Sequence, residues 1–329
     1  MNFHSVLAAW AASAGAALTV AALAFPAHAD DAAARPIRIV VPFAAGGSTD
    51  ALARIVGRKL GESLKQPIVV DNRPGAAGAI GADAVAKAPP DGLTLLLATT
   101  STHAVLPRLR TLPYDAERDF TPVAVIATAP NVLVASPALK VANVSELLAH
   151  DKARAGRLAY SSSGLGTITH LIGAAFAQRA GVAANHIPYK TGVQALTDIS
   201  SGQVDFAFDS IVWTLPQDKA GKVRALAIAA AKRSPLAPEL PTVAESGFPG
   251  FEGTTWFAFV APARLPAAAQ ALLNQHVNAA LRDPEVRAQF QAQGAEPVGG
   301  TPDELTKLMR DDAKRWGAVI AAGNIKLAD

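Results

Sequence analysis

From about Arg35 the chain alternates short, continuously apolar runs with longer stretches in which apolar residues recur every three to four positions. The runs "PIRIVVPF", "PIVVD" and "LTLLLATT" predict strands. The stretches "STDALARIVGRKLGESL" and "GAIGADAVAKA" between them predict amphipathic helices. Strands that read as unbroken apolar runs are buried on both faces, and strand–helix alternation sets them side by side as parallel βαβ units. The expected fold class is α/β, beginning with a three-layer domain.

A second series starts with "FTPVAVIATAPNVLVASPAL", two β-rich runs separated by Pro130. Helix is then expected over "VSELLAHDKARAG", "TITHLIGAAFAQRAG" and "VQALTDISSG". Strand is expected over "LAYSSS", "HIPY", "VDFAFDS" and "VRALAIAA". A single strand returns in "FEGTTWFAFVAP", and after Pro266 the chain reads as almost entirely helical. The simplest topology makes residues 30–126 and 254–329 one discontinuous domain, each domain a mostly parallel sheet flanked by helices. Residues 127–253 are inserted as the other, and two strand-like crossings near 123–128 and 254–260 form a hinge.

Each domain carries one loop of small residues at a strand-to-helix junction. The first is "PFAAGGSTD", residues 42–50, where Gly46 and Gly47 permit close backbone approach and Ser48 or Thr49 is the expected N-cap. The second is "SSSGLGT", residues 161–167, with Thr167 as the expected N-cap. Either loop alone is adequately explained as a well-capped turn. Two of them, one per domain, point to an anion site between helix N-termini, beyond the carboxyl ends of the strands.

Other chemistries fit less well. The second loop has no lysine for a Walker A motif, and Thr169 stands where a dinucleotide fingerprint needs glycine. Ser161 breaks the G-x-S-x-G elbow, so a serine hydrolase with Ser163 as nucleophile and His170 as base stands only as the alternative. Of the seven histidines, His4 and His28 lie in the N-terminal segment, and His103, His150, His170, His186 and His276 show no ligating spacing. No metal or cofactor is expected. Arg73 reads as a loop-fixing arginine. Asp205 and Asp209 share one face of a strand, either as an acid–base pair or with Asp209 orienting the next turn.

Composition narrows the setting. The 329 residues are 50% hydrophobic and 17% charged, with a net charge of +3 and no basic run longer than two, which argues against a nucleic-acid partner. There is no cysteine, so disulfides and thiolate chemistry are excluded. Residues 1–29 lack Asp, Glu, Lys and Arg and end in Ala27-His28-Ala29, a small-x-small pattern. A signal peptide cleaved after Ala29 and a periplasmic destination are therefore expected, although the segment has no basic start.

Taken in order, "IRIVVPFAAGGSTDALARIVGRKL", "VVDNRPGAAGAIGADAVAKAPPDGLTLLLAT", "AYSSSGLGTITHL", "HIPYKTGVQALTDISSGQVDFAFDS", "LPTVAESGFPGFE" and "TWFAFVAPARLP" resemble the substrate-binding proteins of tripartite tricarboxylate transporters, the Bug-type family. The resemblance spans essentially the whole mature chain. It implies a monomeric periplasmic clamshell, type II-like, that captures a small carboxylate and delivers it to membrane permease subunits. A dicarboxylate, a tricarboxylate, an aromatic acid or an amino acid would fit, and a membrane sensor kinase is the alternative partner. By position, the first ligand loop comprises Phe43, Ala45, Gly46, Gly47, Ser48 and Asp50, with Ala45 where the family often has proline. Ser101 follows. Ser161, Ser163, Gly166, Thr167 and His170 match the second loop, and Asp209 the strand-end aspartate.

Overall fold

The strand β1 (Ile37–Val41) shows why both helical layers form. Its alternate residues Ile37, Ile39 and Val41 pack with Leu52, Val56 and Leu60 of helix α1 (Ser48–Leu64). Val40, on the opposite face, packs with Ala79, Ala82 and Val85 of α2 (Ala79–Ala86). A strand covered on both sides has no polar positions to spare, which is the unbroken apolar run seen in its sequence. This computed structural model describes residues 35–153, 158–190 and 192–326. The expected signal peptide, residues 1–29, lies outside them.

The remaining elements are β2 (Ile68–Asn72), β3 (Thr94–Thr99), α3 (Leu106–Leu109), β4 (Phe120–Ala135), α4 (Val144–Ala153), β5 (Ala159–Ser162), α5 (Ile168–Ala180), β6 (Asn185–Pro188) and α6 (Gly192–Ser201). They continue with β7 (Phe206–Ser210), α7 (Ile211–Lys219), β8 (Arg224–Ala229), β9 (Thr254–Pro262), α8 (Ala267–Arg282), α9 (Pro284–Ala292), β10 (Glu296–Gly299) and α10 (Pro302–Ala322). The strands run in the order β2-β1-β3-β9-β4-β7-β5-β6, with β10 and β8 also paired to β4. Both ends of this sheet are parallel: β2, β1 and β3 at one, and β7, β5 and β6 at the other. The central pairings of β9, β4, β7, β8 and β10 are antiparallel.

β4 is the element that joins the two halves. Its 16 residues run straight through Pro130, where two separate runs are expected from the sequence. Residues before Pro130 pair with β9 and β10, and residues from Asn131 onward pair with β7 and β8. Asn131 fixes the crossing: its backbone amide and its Nδ2 both donate to Gly253 O, at 3.3 and 2.6 Å, while the Gly253 amide donates to Ala229 O at 2.8 Å. The core is continuous across this crossing. One apolar cluster includes Leu96 and Trp316 in the first half and Ile172, Phe176 and Phe208 in the second.

The C-terminal region departs from the helical expectation at one place. β10 pairs with β4 through Glu296–Thr128 and Gly299–Val125, between α9 and α10. Among the described residues, no helix is long and apolar enough to cross a membrane.

Candidate ligand-binding site

The first loop is held from within by Asp50. Its Oδ2 accepts the Gly46 amide at 3.0 Å and Arg54 Nε at 3.0 Å, and its Oδ1 lies 3.0 Å from Arg54 Nη2. Arg54 Nη2 also donates to Asn72 Oδ1 at 3.3 Å, and Asn72 Nδ2 donates to Phe43 O at 3.2 Å. Burial by itself would raise the Asp50 pKa, but hydrogen bonds from Arg54, Gly46 and Asn72 bring it below the ordinary carboxylate value. The N-cap of α1 is Gly47, with no side-chain cap, where Ser48 or Thr49 is expected from the sequence. The reason is Asp50, which already secures the loop from the first helical turn. Asp50 is 5% exposed and turned into the protein, so it shapes the loop, whereas Ala45, Gly46 and Gly47 are exposed. The first-turn amides of α1 have no intrahelical partners.

The second loop is a denser network. Thr167 is the N-cap of α5 as expected, its Oγ1 donating to Gly164 O at 2.7 Å and accepting the His170 amide at 3.5 Å. Thr169 Oγ1 accepts the Ser163 amide at 3.1 Å and lies 2.9 Å from Ser163 Oγ. Gly166 N–H donates to His170 Nδ1 at 3.3 Å. Ser161 is buried at the end of β5, whereas Ser163 is exposed.

This geometry does not make a hydrolase. Ser163 Oγ is bonded to Thr169, and the Nδ1 of His170 is committed to the Gly166 amide. No Ser163–His170 bond forms among the described residues. Asp205 and Asp209 do not pair either. Asp205 Oδ2 accepts the Ala159 amide at 2.7 Å, and Asp209 Oδ1 accepts the Ser210 amide at 2.7 Å at the start of α7. Arg73 Nε donates to Asp71 Oδ2 at 2.8 Å, in keeping with its expected role in a loop. Among the described residues, no group of three His, Cys, Asp or Glu is placed to hold a metal.

The two halves meet at Ser101. β3 ends in a π-helical turn, Ser101–Val105, and Ser101 Oγ accepts the backbone amide of Ile168, the first residue of α5, at 3.0 Å. The first loop connects to the same turn through Gly78, whose φ is +95°. A Cβ at that position would lie 2.6 Å from Thr102 Cγ2 and 3.4 Å from Phe43 Cζ, so only glycine lets this loop close against both. Parallel pairing of Ser161 with Ala207 sets the ends of β5 and β7 side by side, which brings Ser163 and Asp209 to the same edge. Burial pushes the Asp209 carboxyl up to about 6, with the Ser210 amide acting in the other direction. Two surface clefts of about 640 and 690 Å³ lie elsewhere, beside Tyr114 and between Pro130 and Arg287, and no predicted ligand residue lines either.

The chain's sequence and fold are both shared with known proteins. A family model described as the tripartite tricarboxylate transporter family receptor, TctC, matches residues 52–325. The chain belongs to this family. Protein BugT of Bordetella pertussis is 41% identical over 315 residues, 95% of this chain and 97% of that protein. The R. palustris protein Rpa4515, solved with adipate, is 39% identical at a TM-score of 0.85, covering 89% of this chain and 98% of that one. MatC of Rhodopseudomonas palustris, solved with bound malate, is 33% identical at a TM-score of 0.81, covering 87% of this chain and 99% of that one.

As a TctC-family receptor the chain is a binding protein and not an enzyme, with the periplasmic-binding-protein fold. Several residues that build its loops carry little sequence signal. Arg54 is one that the sequence reading passes over, although its place four residues after Asp50, on the same helix face, is a signal that could have found it. Ser162 and His186 carry no such signal, because their contact exists only once β5 and β6 pair, and Thr169 carries none, because it acts by folding back on Ser163 within its own loop.

Proposed function

We propose that this receptor captures a small carboxylate, of the size class of adipate and malate, and delivers it to the membrane subunits of a tripartite tricarboxylate transporter. It works as an exported monomer, cleaved after Ala29. Residues 30–126 with 254–329 form one lobe and 127–253 the other, and they close over the ligand about β4 and β9. The ligand carboxylate sits between the first-turn amides of α1 and the second loop, near Phe43, Gly47, Ser48, Ser163 and Thr167.

The observation that carries this reading is the Ser101–Ile168 bond, which brings the start of α5 from one half against the β3 end of the other. The first-turn amides of α1, which have no intrahelical partners, offer charge-assisted bonds of about 1.5–3 kcal/mol each, whereas the amides of Ser163, Gly166, Ile168 and His170 are engaged within the second loop and by Ser101. A handful of such bonds, after the cost of association, supports micromolar affinity, about −8 kcal/mol. Calorimetric titration of the mature chain with adipate, malate and citrate tests it. Saturable binding of a dicarboxylate supports the reading, and no heat and no thermal shift with any of the three refutes it. Loss of ligand uptake in cells lacking the gene tests delivery.

A further inference from the structure

Beneath the second loop lie two imidazoles, His170 in the first turn of α5 and His186 on β6. Their rings stack with centroids 4.0 Å apart and planes at 21°. Tyr160 of β5 packs beside both, at 6.4 and 4.9 Å, and Phe206 of β7 stacks on Tyr160. Each imidazole touches the loop through one nitrogen. Gly166 N–H donates to His170 Nδ1 at 3.3 Å, and Ser162 Oγ lies 2.7 Å from His186 Nε2.

The first bond has a fixed direction, since a backbone amide only donates. His170 Nδ1 is therefore unprotonated, and the proton of the neutral ring is on Nε2. The direction of the second follows from its surroundings. Ser162 Oγ accepts the Gly164 amide at 3.2 Å and has one proton to give. Gly164 O lies 3.1 Å away, but it already receives Thr167 Oγ1 at 2.7 Å and the Thr167 amide at 3.2 Å, which fill its two lone pairs. The Ser162 proton goes to the shorter contact, His186 Nε2, which places the proton of that ring on Nδ1.

We propose that His170 and His186 are positioning residues, a neutral pair of opposite tautomers whose two acceptor nitrogens hold the second loop in the shape that receives the ligand. This rests on the receptor reading above. Protonation of His170 would set N–H against N–H at Gly166, protonation of His186 would set N–H against the Ser162 hydroxyl, and two charged rings 4.0 Å apart would repel. The surroundings oppose both events. Burial pushes His170 down to about 4, and burial together with the His170 charge pushes His186 down to about 3. The groups packed around the pair do not favour charging it. Tyr160 is held neutral by burial, Phe206 is apolar, and at the two ends of β7 Asp205 and Asp209 accept the Ala159 and Ser210 amides.

Nitrogen-resolved NMR of the ligand-free mature protein reads the tautomers directly. The expected result at pH 7 is Nε2–H on His170 and Nδ1–H on His186, with neither ring charging above pH 5. The reverse tautomer on either ring, or a midpoint near 6.5, would overturn the proposal. Calorimetry with adipate or malate, whichever the wild type binds, adds the functional arm. His170→Leu removes the acceptor and loses about tenfold in affinity at pH 7, and His170→Asn, which keeps an acceptor near the Nδ1 position without a titrating group, recovers part of that loss. At pH 4.5 the wild type weakens relative to His170→Asn, a comparison in which titration of the ligand itself cancels. Wild-type affinity in His170→Leu would sink the positioning role. If the wild type binds neither acid, the receptor reading fails while the tautomer measurement still decides the pair.

Discussion

Ser101 Oγ accepts the amide of Ile168 at 3.0 Å although 67 residues separate them. Ser101 is 3% exposed, so the bond is shielded from water and takes the first orphan amide of α5. It ties the turn after β3 to the start of α5. Ser101→Ala leaves that amide without its partner and weakens closure, lowering affinity for the bound dicarboxylate by about three- to tenfold, the equivalent of one hydrogen bond. The same variant should shift the melting temperature by a few degrees at most, because one hydrogen bond is lost while the apolar core that spans both halves is untouched. Calorimetry beside thermal melts reads both numbers, and unchanged affinity would remove Ser101 from the site.

The two glycines of the first loop should separate in a substitution test. Gly46 has φ +83°, with nothing within 4 Å of a Cβ placed there, so strain alone opposes a side chain. Gly46→Ala should lower stability by about 1–2 kcal/mol and weaken binding, because the amide held by Asp50 shifts. Gly47 has φ −84° and ψ 173°, ordinary extended backbone, and a Cβ there lies 3.7 Å from Ala44 O. Gly47→Val should fold as the wild type and fail to bind, since the side chain projects where the ligand would sit. Equal stability losses in the two variants would contradict this division.

Much of this architecture was legible in the sequence because it depends on local patterns. Helix α1 occupies the expected stretch Ser48–Leu64, and Thr167 caps α5 as its place after "SSSGLG" indicates. What stayed hidden depends on distant partners. Pro130 reads as a break between strands, yet a proline needs no ladder donor at a crossing where β4 exchanges partners, so the strand runs on. β10 is a short run, "EPVG", whose only reason to be a strand is the edge of β4. Asp50 enters the expected ligand residues through the family resemblance of its loop. Only the folded chain shows its carboxyl turned inward to Gly46 and Arg54.

Asp209 gives the protein a pH dependence of definite sign. Its folded pKa of about 6 lies above the ordinary 3.8, raised by burial. Below about pH 4 the carboxyl is protonated in both folded and unfolded chains and does not oppose folding. As pH rises through 6 the folded protein must hold a poorly solvated charge, and stability is lost. Asp209→Asn should therefore raise the melting temperature at pH 7.5 by on the order of 2 °C and leave it unchanged at pH 4. A melting curve that shifts equally at both values would show that the carboxyl charge is not the cause.

The last prediction separates a loop-holding aspartate from a ligand-facing one. If the Asp50 charge faced the bound carboxylate, removing that charge would relieve repulsion and tighten binding. The geometry says otherwise: Oδ2 is spent on the Gly46 amide and on Arg54 Nε, 3.0 Å from each. Asp50→Asn retains an oxygen that can accept the Gly46 amide, so affinity should stay within about threefold, while Asp50→Ala frees the loop and should lose at least about tenfold. Arg54→Ala should matter less than Asp50→Ala. Its side chain is 54% exposed, and an ion pair so open to water is worth about 1 kcal/mol at most. The sign of the acid dependence follows from the lowered Asp50 pKa: its stabilisation is present above the ordinary carboxylate value and is lost as pH falls through the folded one. Asp50→Asn should flatten that part of the acid limb in melts between pH 5 and 2. Tighter dicarboxylate binding by Asp50→Asn would show that Asp50 faces the ligand after all.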